Sequence, residues 1–216
     1  MLPYVPPAEH VALEARDVAC VRGRRVLFEH LSFALRPGEC LELRGPNGSG
    51  KTSLLRMLCG LLPPSNGAIF WRGDPIATLR EAYHPFVRYV GHASALKDEL
   101  TTMENLRVLC ALNGFELSCD EAQAVLQRMT LSHEAHLPAR YLSAGQRRRL
   151  ALARLIATPA PLWLLDEVFT SLDESAAHVT ASVLDDHLAC GGLAIVATHQ
   201  DLRLAARWSQ RIELVA

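Results

Sequence analysis

Gly45-Pro46-Asn47-Gly48-Ser49-Gly50-Lys51-Thr52 is a glycine-rich run closed by a lysine and a hydroxyl. The glycines permit backbone shapes and close approaches that a Cβ would block. The loop amides can then turn inward as a concave nest for anions. A helix opening near Lys51 adds the positive end of its dipole to the same spot. Lys51 suits the β- and γ-phosphates of a nucleotide, the Thr52 hydroxyl suits Mg²⁺, and Ser53 completes the phosphate-contacting run. Lys51 and Lys97 are the only lysines among 22 basic residues. The chemistry is capture of a triphosphate. A glycine-rich turn beside an incidental lysine is the bland alternative. The apolar run Cys40–Leu43 before the loop and the helical pattern Ser53–Leu58 after it provide the strand–loop–helix context of a P-loop.

Two further runs end in groups able to act on a bound triphosphate. Leu162-Trp163-Leu164-Leu165 leads into Asp166 and Glu167. An apolar run of this length reads as a buried parallel strand, and ligands gather at the carboxyl ends of such strands. Asp166 suits Mg²⁺ binding through water, and Glu167 suits activation of the attacking water. Alone, the pair would equally suit a solvated acidic turn. Leu193–Thr198 is another apolar run, and it ends at His199. An imidazole there can hydrogen-bond a γ-phosphate as charge develops, although a lone histidine at a strand end is more often structural.

Leu142-Ser143-Ala144-Gly145-Gln146 begins about ninety residues after the P-loop. Ser143 is expected to cap a helix from Ala144 to about Ala157, with its hydroxyl and the Gly145 N–H facing outward. That makes a second anion-seeking helix end. One P-loop satisfies one triphosphate, so the second site predicts a two-fold dimer in which each copy caps its partner's nucleotide. Ser171-Leu172-Asp173 would lie at the same seam.

P-loop, Leu-Ser-Ala-Gly-Gln, Asp-Glu, Ser-Leu-Asp and His, in that order, resemble the ABC-type ATPases from about Leu13 to Leu214. The resemblance implies ATP and Mg²⁺ as ligands. It implies Ser143, Ala144, Gly145, Gln146 and Asp173 as contacts to the opposing subunit's nucleotide, with Glu167 and His199 as catalytic groups. The predicted fold is an α/β P-loop NTPase of ABC ATPase type. It has a mixed or parallel sheet core, an N-terminal antiparallel β subdomain and an inserted helical lobe. The whole of 1–216 forms one ATP-binding domain, with its core at about 1–94 and 150–216 and the lobe at about 95–149.

Leu13–Val18, Arg25–Phe28, Tyr83-His84, Gly91-His92, Glu99–Thr101, Glu104–Leu106 and Thr198–Gln200 are similar to a narrower group, the ATP-binding subunits of the cytochrome c maturation system. This resemblance implies a peripheral ATPase on the cytoplasmic face of the bacterial inner membrane. It would dock on an integral membrane permease and haem-handling membrane proteins, and drive haem export or release of a loaded haem chaperone. Another cargo, a soluble ABC ATPase acting on DNA or ribosomes, and a binding-only regulator are the competing readings.

Three departures stand out. ABC ATPases usually carry a glutamine near residue 92, whereas this chain reads His92-Ala93-Ser94. The usual adenine-stacking aromatic aligns with about Arg22, and Val168 follows Glu167 in place of a proline.

Elements to position these groups are legible in the pattern. Residues 11–36 alternate as strands around a turn at Arg22-Gly23-Arg24, and strands are expected at Ala68–Trp71, Arg88–Gly91, 161–165, 193–198 and Ile212–Val215. Between Thr101 and about Pro138 the period becomes helical. Thr101–Glu104 and Ser118–Glu121 read as capping boxes. Leu106, Val108, Leu109, Leu112 and Phe115 either fill this lobe's own core or line a docking groove. Arg147-Arg148-Arg149 reads as a solvated basic face.

The formal charge of −1 shows no nucleic-acid footprint. The six cysteines have no metal-ligand spacing and are expected to be reduced. The N-terminus lacks the basic and apolar regions of a signal peptide. No apolar run is long enough to span a bilayer, so any membrane partner must be a separate chain.

Overall fold

In the computed structural model, residues 11–91, 93, 95–170, 172–198 and 208–215 are described. His92 and His199, both named above as site residues, lie outside them, as does Ser171. The chain divides into two compact units. The first comprises Met1–Gly91, Ala160–Glu167 and Asp185–Ala216, and the second comprises His92–Pro159 and Val168–Leu184.

The first unit holds two sheets. β1 (Leu13–Arg22) and β2 (Arg25–Leu35) form a hairpin, and β4 (Asn66–Trp71) and the two-residue β5 (Asp74–Pro75) extend it in the antiparallel order β2-β1-β4-β5. The second sheet joins β3 (Cys40–Arg44), β6 (Val87–Val90), β7 (Leu162–Asp166), β8 (Leu193–Ala197) and β9 (Trp208–Glu213) in the order β6-β7-β8-β3-β9. All its described pairings are parallel. β7 and β8 are buried along their whole length, as expected of strands covered on both faces.

Register matters most here. Leu43 pairs with Ala197, and Ala197 pairs with Asp166. The ends of β3, β8 and β7 therefore form one row, and the loops leaving that row emerge side by side.

α1 (Lys51–Leu58) leaves the P-loop with Leu54, Leu55, Met57 and Leu58 buried. It stops at Gly60, whose φ is +74°. Gly60 N–H donates to the Met57 carbonyl and Leu61 N–H to the Arg56 carbonyl, both at 2.9 Å, a Schellman ending. Past the short α2 (Ile76–Leu79), Tyr83 donates its buried hydroxyl to the Leu58 carbonyl at 2.8 Å and packs edge-on against Trp71.

The second unit contains α3 (Thr102–Ala111), α4 (Cys119–Arg128) and α5 (Ala144–Ala157). Each begins with a complete capping box, at Thr101/Glu104, Ser118/Glu121 and Ser143/Gln146. Leu106 and Leu109 are buried in this unit, while Val108 and Leu112 are exposed. The expected solvated arginine face is corrected. Arg148 is buried. Arg147 pairs with Asp98 at 2.7 Å and also donates to the Ala139 carbonyl. Arg149 donates to the Met129 and Thr130 carbonyls at the end of α4. The last carbonyls of a helix have no partner within it and can accept from arginine guanidinium groups.

α6 (Glu174–Ala189) returns the chain to the first unit. There His187 stacks on Trp163 of β7 at 3.7 Å between ring centroids. Its Nε2–H donates to the Leu193 carbonyl of β8 at 3.1 Å. Burial pulls the imidazole pKa from 6.5 down to about 4. The folded state thus refuses a proton that the unfolded chain accepts. Stability from this group is complete above pH 6.5 and falls progressively toward pH 4, by up to about 3 kcal/mol. Chemical denaturation across that range should show the loss, and His187→Gln should flatten it.

Candidate functional site

The P-loop gets its shape from steric need. Gly45 has φ +142°, and a methyl group there would stand 2.4 Å from the Leu214 carbonyl oxygen and 2.6 Å from Ser49 Oγ. Gly48 (φ +83°) and Gly50 (φ +106°) occupy the same half of conformational space. At Gly50 a Cβ would also press on the Phe28 ring at 3.0 Å. Gly50 is the N-cap of α1, and no side chain caps that end. The first-turn amides are left to the loop's own concavity, the arrangement that attracts anions.

Around the loop is a cleft of about 220 Å³ lined by Leu27, Asn47, Gly48, Gly50, Lys51, Thr52, Ser53 and Glu167. Lys51 is buried and folds its ammonium onto the carbonyls of Gly45 at 2.7 Å and Pro46 at 3.2 Å. The same ammonium stands 3.7 Å from Glu167 Oε1. Thr52 donates its hydroxyl to Asp166 Oδ2 at 2.8 Å. Glu167 holds φ +56°, and its N–H donates to the Ala197 carbonyl at 2.9 Å. Positive φ in a non-glycine residue costs free energy and persists where surrounding structure enforces it, commonly at functional sites.

These groups fit a Mg-nucleotide. Among the described residues no group hydrogen-bonds the buried Ser49 Oγ, which leaves that hydroxyl available to a bound phosphate or water. Thr52 Oγ1 and Asp166 are hard oxygen donors. Mg²⁺ takes one or two such protein groups alongside phosphate oxygens and water. Among the described residues no cluster of three or more His, Cys, Asp or Glu competes for a metal.

The remaining expected site residues sit in the second unit. Ser143 and Ala144 are exposed at the start of α5, followed by half-buried Gly145 and Gln146. The Ser143 hydroxyl accepts from Gln146 N–H at 3.2 Å, and the Gln146 amide oxygen accepts from Ser143 N–H at 2.8 Å. The Gln146 amide nitrogen donates to Glu134. Asp173 caps its own helix α6, accepting from Ala176 N–H at 2.7 Å.

Two residues reach the site without having been marked by a motif. Leu27 supplies apolar wall to the cleft, and among the described residues no aromatic side chain lines it. Arg22 stands exposed at the end of β1. Tyr89 of β6 donates to Asp166 at 3.2 Å. Apolar alternation in the hairpin hinted at Leu27. Nothing local marked Tyr89, because its partner is 77 residues away.

Gly45→Ala is expected to abolish nucleotide binding, since neither a backbone carbonyl nor φ +142° accommodates the methyl. Equilibrium binding of a fluorescent ATP analogue measures it, with the thermal melt as the control for folding.

Comparison with known proteins agrees with this geometry. The ABC transporter family model matches residues 28–170. The chain is 48% identical over 196 residues to the cytochrome c biogenesis ATP-binding export protein CcmA of Nitrosomonas europaea, covering 91% of this chain and 92% of the relative. The protein of the same name from Nitrosococcus oceani is 50% identical, covering 89% and 88%. Among solved structures, a putative ABC transporter ATP-binding protein from Pyrococcus furiosus superposes with a TM-score of 0.81 at 23% identity, covering 94% of this chain and 96% of that one. The fold, the P-loop cleft and these relatives lead to one conclusion: the chain belongs to the ABC transporter family, as one of its ATP-binding subunits.

Proposed function

We propose that this chain is the ATP-hydrolysing subunit of an ABC-type membrane complex for cytochrome c biogenesis, driving haem export or the release of a haem-loaded chaperone. The observation that carries the ATPase reading is the convergence of Lys51, Thr52, Asp166 and Glu167 on one cleft. The biogenesis reading rests on relatives named for that process, at 41–50% identity over 88–94% of this chain.

The loop amides and Ser49 bind the phosphates. Lys51 exchanges its two carbonyl partners for phosphate oxygens of higher charge. Thr52 and Asp166 would hold Mg²⁺, which would supply neutralisation of the phosphate charge. Glu167 orients the attacking water and accepts its proton, and a positioned base of this kind contributes ~10²–10⁴ in rate. His199 donates to the γ-phosphate. Ser143, Ala144, Gly145, Gln146 and Asp173 contact the nucleotide of a second copy across a two-fold interface, and His92 lies near the position where ABC ATPases usually carry a glutamine.

Among the described residues no helix is long and apolar enough to cross a membrane. The chain works as a peripheral subunit on the cytoplasmic face of the bacterial inner membrane, seated on a permease, with no nucleic-acid partner. Its ABC domain spans residues 1–216.

Glu167→Gln is expected to keep ATP binding, lose hydrolysis by ~10²–10⁴ and accumulate as an ATP-bound dimer in light scattering. Wild-type turnover in that variant would remove Glu167 from its assigned role. Affinity purification from membranes should return a multispanning protein and bound haem; recovery of ribosomes or DNA instead would overturn the assignment to cytochrome c biogenesis.

With no aromatic residue among the described ones lining the cleft, kcat/KM for ATP and GTP should agree within about tenfold, because discrimination needs site groups committed to one base. Steady-state assays with both nucleotides check it.

A further inference from the structure

β6 brings a side chain to Asp166 that the motif series does not include. Tyr89 pairs in register with Leu164 of β7, two residues before Asp166. Its hydroxyl donates to Asp166 Oδ2 at 3.2 Å, the same oxygen that accepts the Thr52 hydroxyl at 2.8 Å. Two donors from different elements, α1 and β6, therefore converge on one carboxylate oxygen.

The far side of the ring is equally constrained. A methyl built on Gly91 would stand 3.1 Å from both Cε1 and Oη of Tyr89 and 3.2 Å from Cζ. Those distances are tighter than ordinary carbon contacts. The hydroxyl end of the ring is thus seated against the bare Cα of Gly91. Gly91 has no need of a left-handed backbone, since its φ is not among the positive ones. What glycine provides here is space for the ring.

We propose that Tyr89 is a positioning residue for the Mg²⁺-binding carboxylate of Asp166, and that Gly91 is the seat that fixes it. The proposal rests on the ATPase reading above for its consequence, and on the hydrogen bond alone for its geometry. It extends the site to β6. It also places the seat of the ring at Gly91, the end of the first unit's opening segment, Met1–Gly91.

The test measures how Mg²⁺ strengthens ATP binding, using a fluorescent ATP analogue titrated with Mg²⁺ and in EDTA. Tyr89→Phe keeps the ring and removes the donor. It should raise the half-saturating Mg²⁺ concentration roughly tenfold and leave affinity in EDTA unchanged. Gly91→Ala should reproduce the shift, and the double variant should be no worse than either alone, because both act through one hydrogen bond. A second readout needs no nucleotide: in urea denaturation, the stability losses of Tyr89→Phe and Asp166→Asn should fall short of additive.

Unchanged Mg²⁺ dependence in Tyr89→Phe, multiplied effects in the double variant, or strictly additive stability losses would each overturn the proposal. Failure of the parent protein to hydrolyse ATP would instead strike the functional reading, and the denaturation cycle would still judge the Tyr89–Asp166 bond.

Discussion

The hydrogen bond from Thr52 to Asp166, 2.8 Å long across 114 residues of sequence, is the contact on which the site depends. It fastens the first turn of α1 to the end of β7 and brings the glycine-rich loop and the Asp166-Glu167 pair together. It exists only because β8 lies between β3 and β7 and all three strands run the same way. Their shared register puts Leu43, Ala197 and Asp166 in one row, so the loops that follow must meet. A slip of one residue in either pairing would turn Asp166 to the other face of the sheet.

Neighbouring features support that row. Glu167 stays beside Lys51 through a backbone conformation that an isolated glutamate disfavours, and its N–H is anchored on the Ala197 carbonyl. The Leu214 carbonyl, just past β9, fills the space beside Gly45 that a side chain would need. Below the loop, Leu54, Leu55 and Leu58 bury the apolar face of α1, and Tyr83 holds its last carbonyl. The strained loop is thus mounted on a short helix that is locked at its far end. Rigid support of this kind lets a glycine-rich segment keep one shape.

The helical unit follows different physics. Its helices start where a serine or threonine and an acid or amide can satisfy each other's backbone groups over one turn. Its basic run serves helix packing rather than solvation, because α4 ends with carbonyls that Arg149 can reach and Asp98 offers Arg147 a charge partner. Arginine clusters in such a unit hold structure together as readily as they present charge.

Helix starts, buried strands and the P-loop were legible in the residues because each is decided within a few positions. Ser143 marked the start of α5, and the helix runs from Ala144 to Ala157 as its pattern indicated. The unbroken apolar runs before Asp166 and Thr198 marked β7 and β8. Tertiary structure alone decided the strand order, the pairing of Thr52 and Tyr89 with one carboxylate oxygen, the burial of Arg148 and the left-handed backbone at Glu167. The reason is physical. Caps and periodicities are satisfied by neighbours in sequence, whereas a carboxylate at a strand end finds its donors only once parallel pairing has brought together strands that lie far apart along the chain.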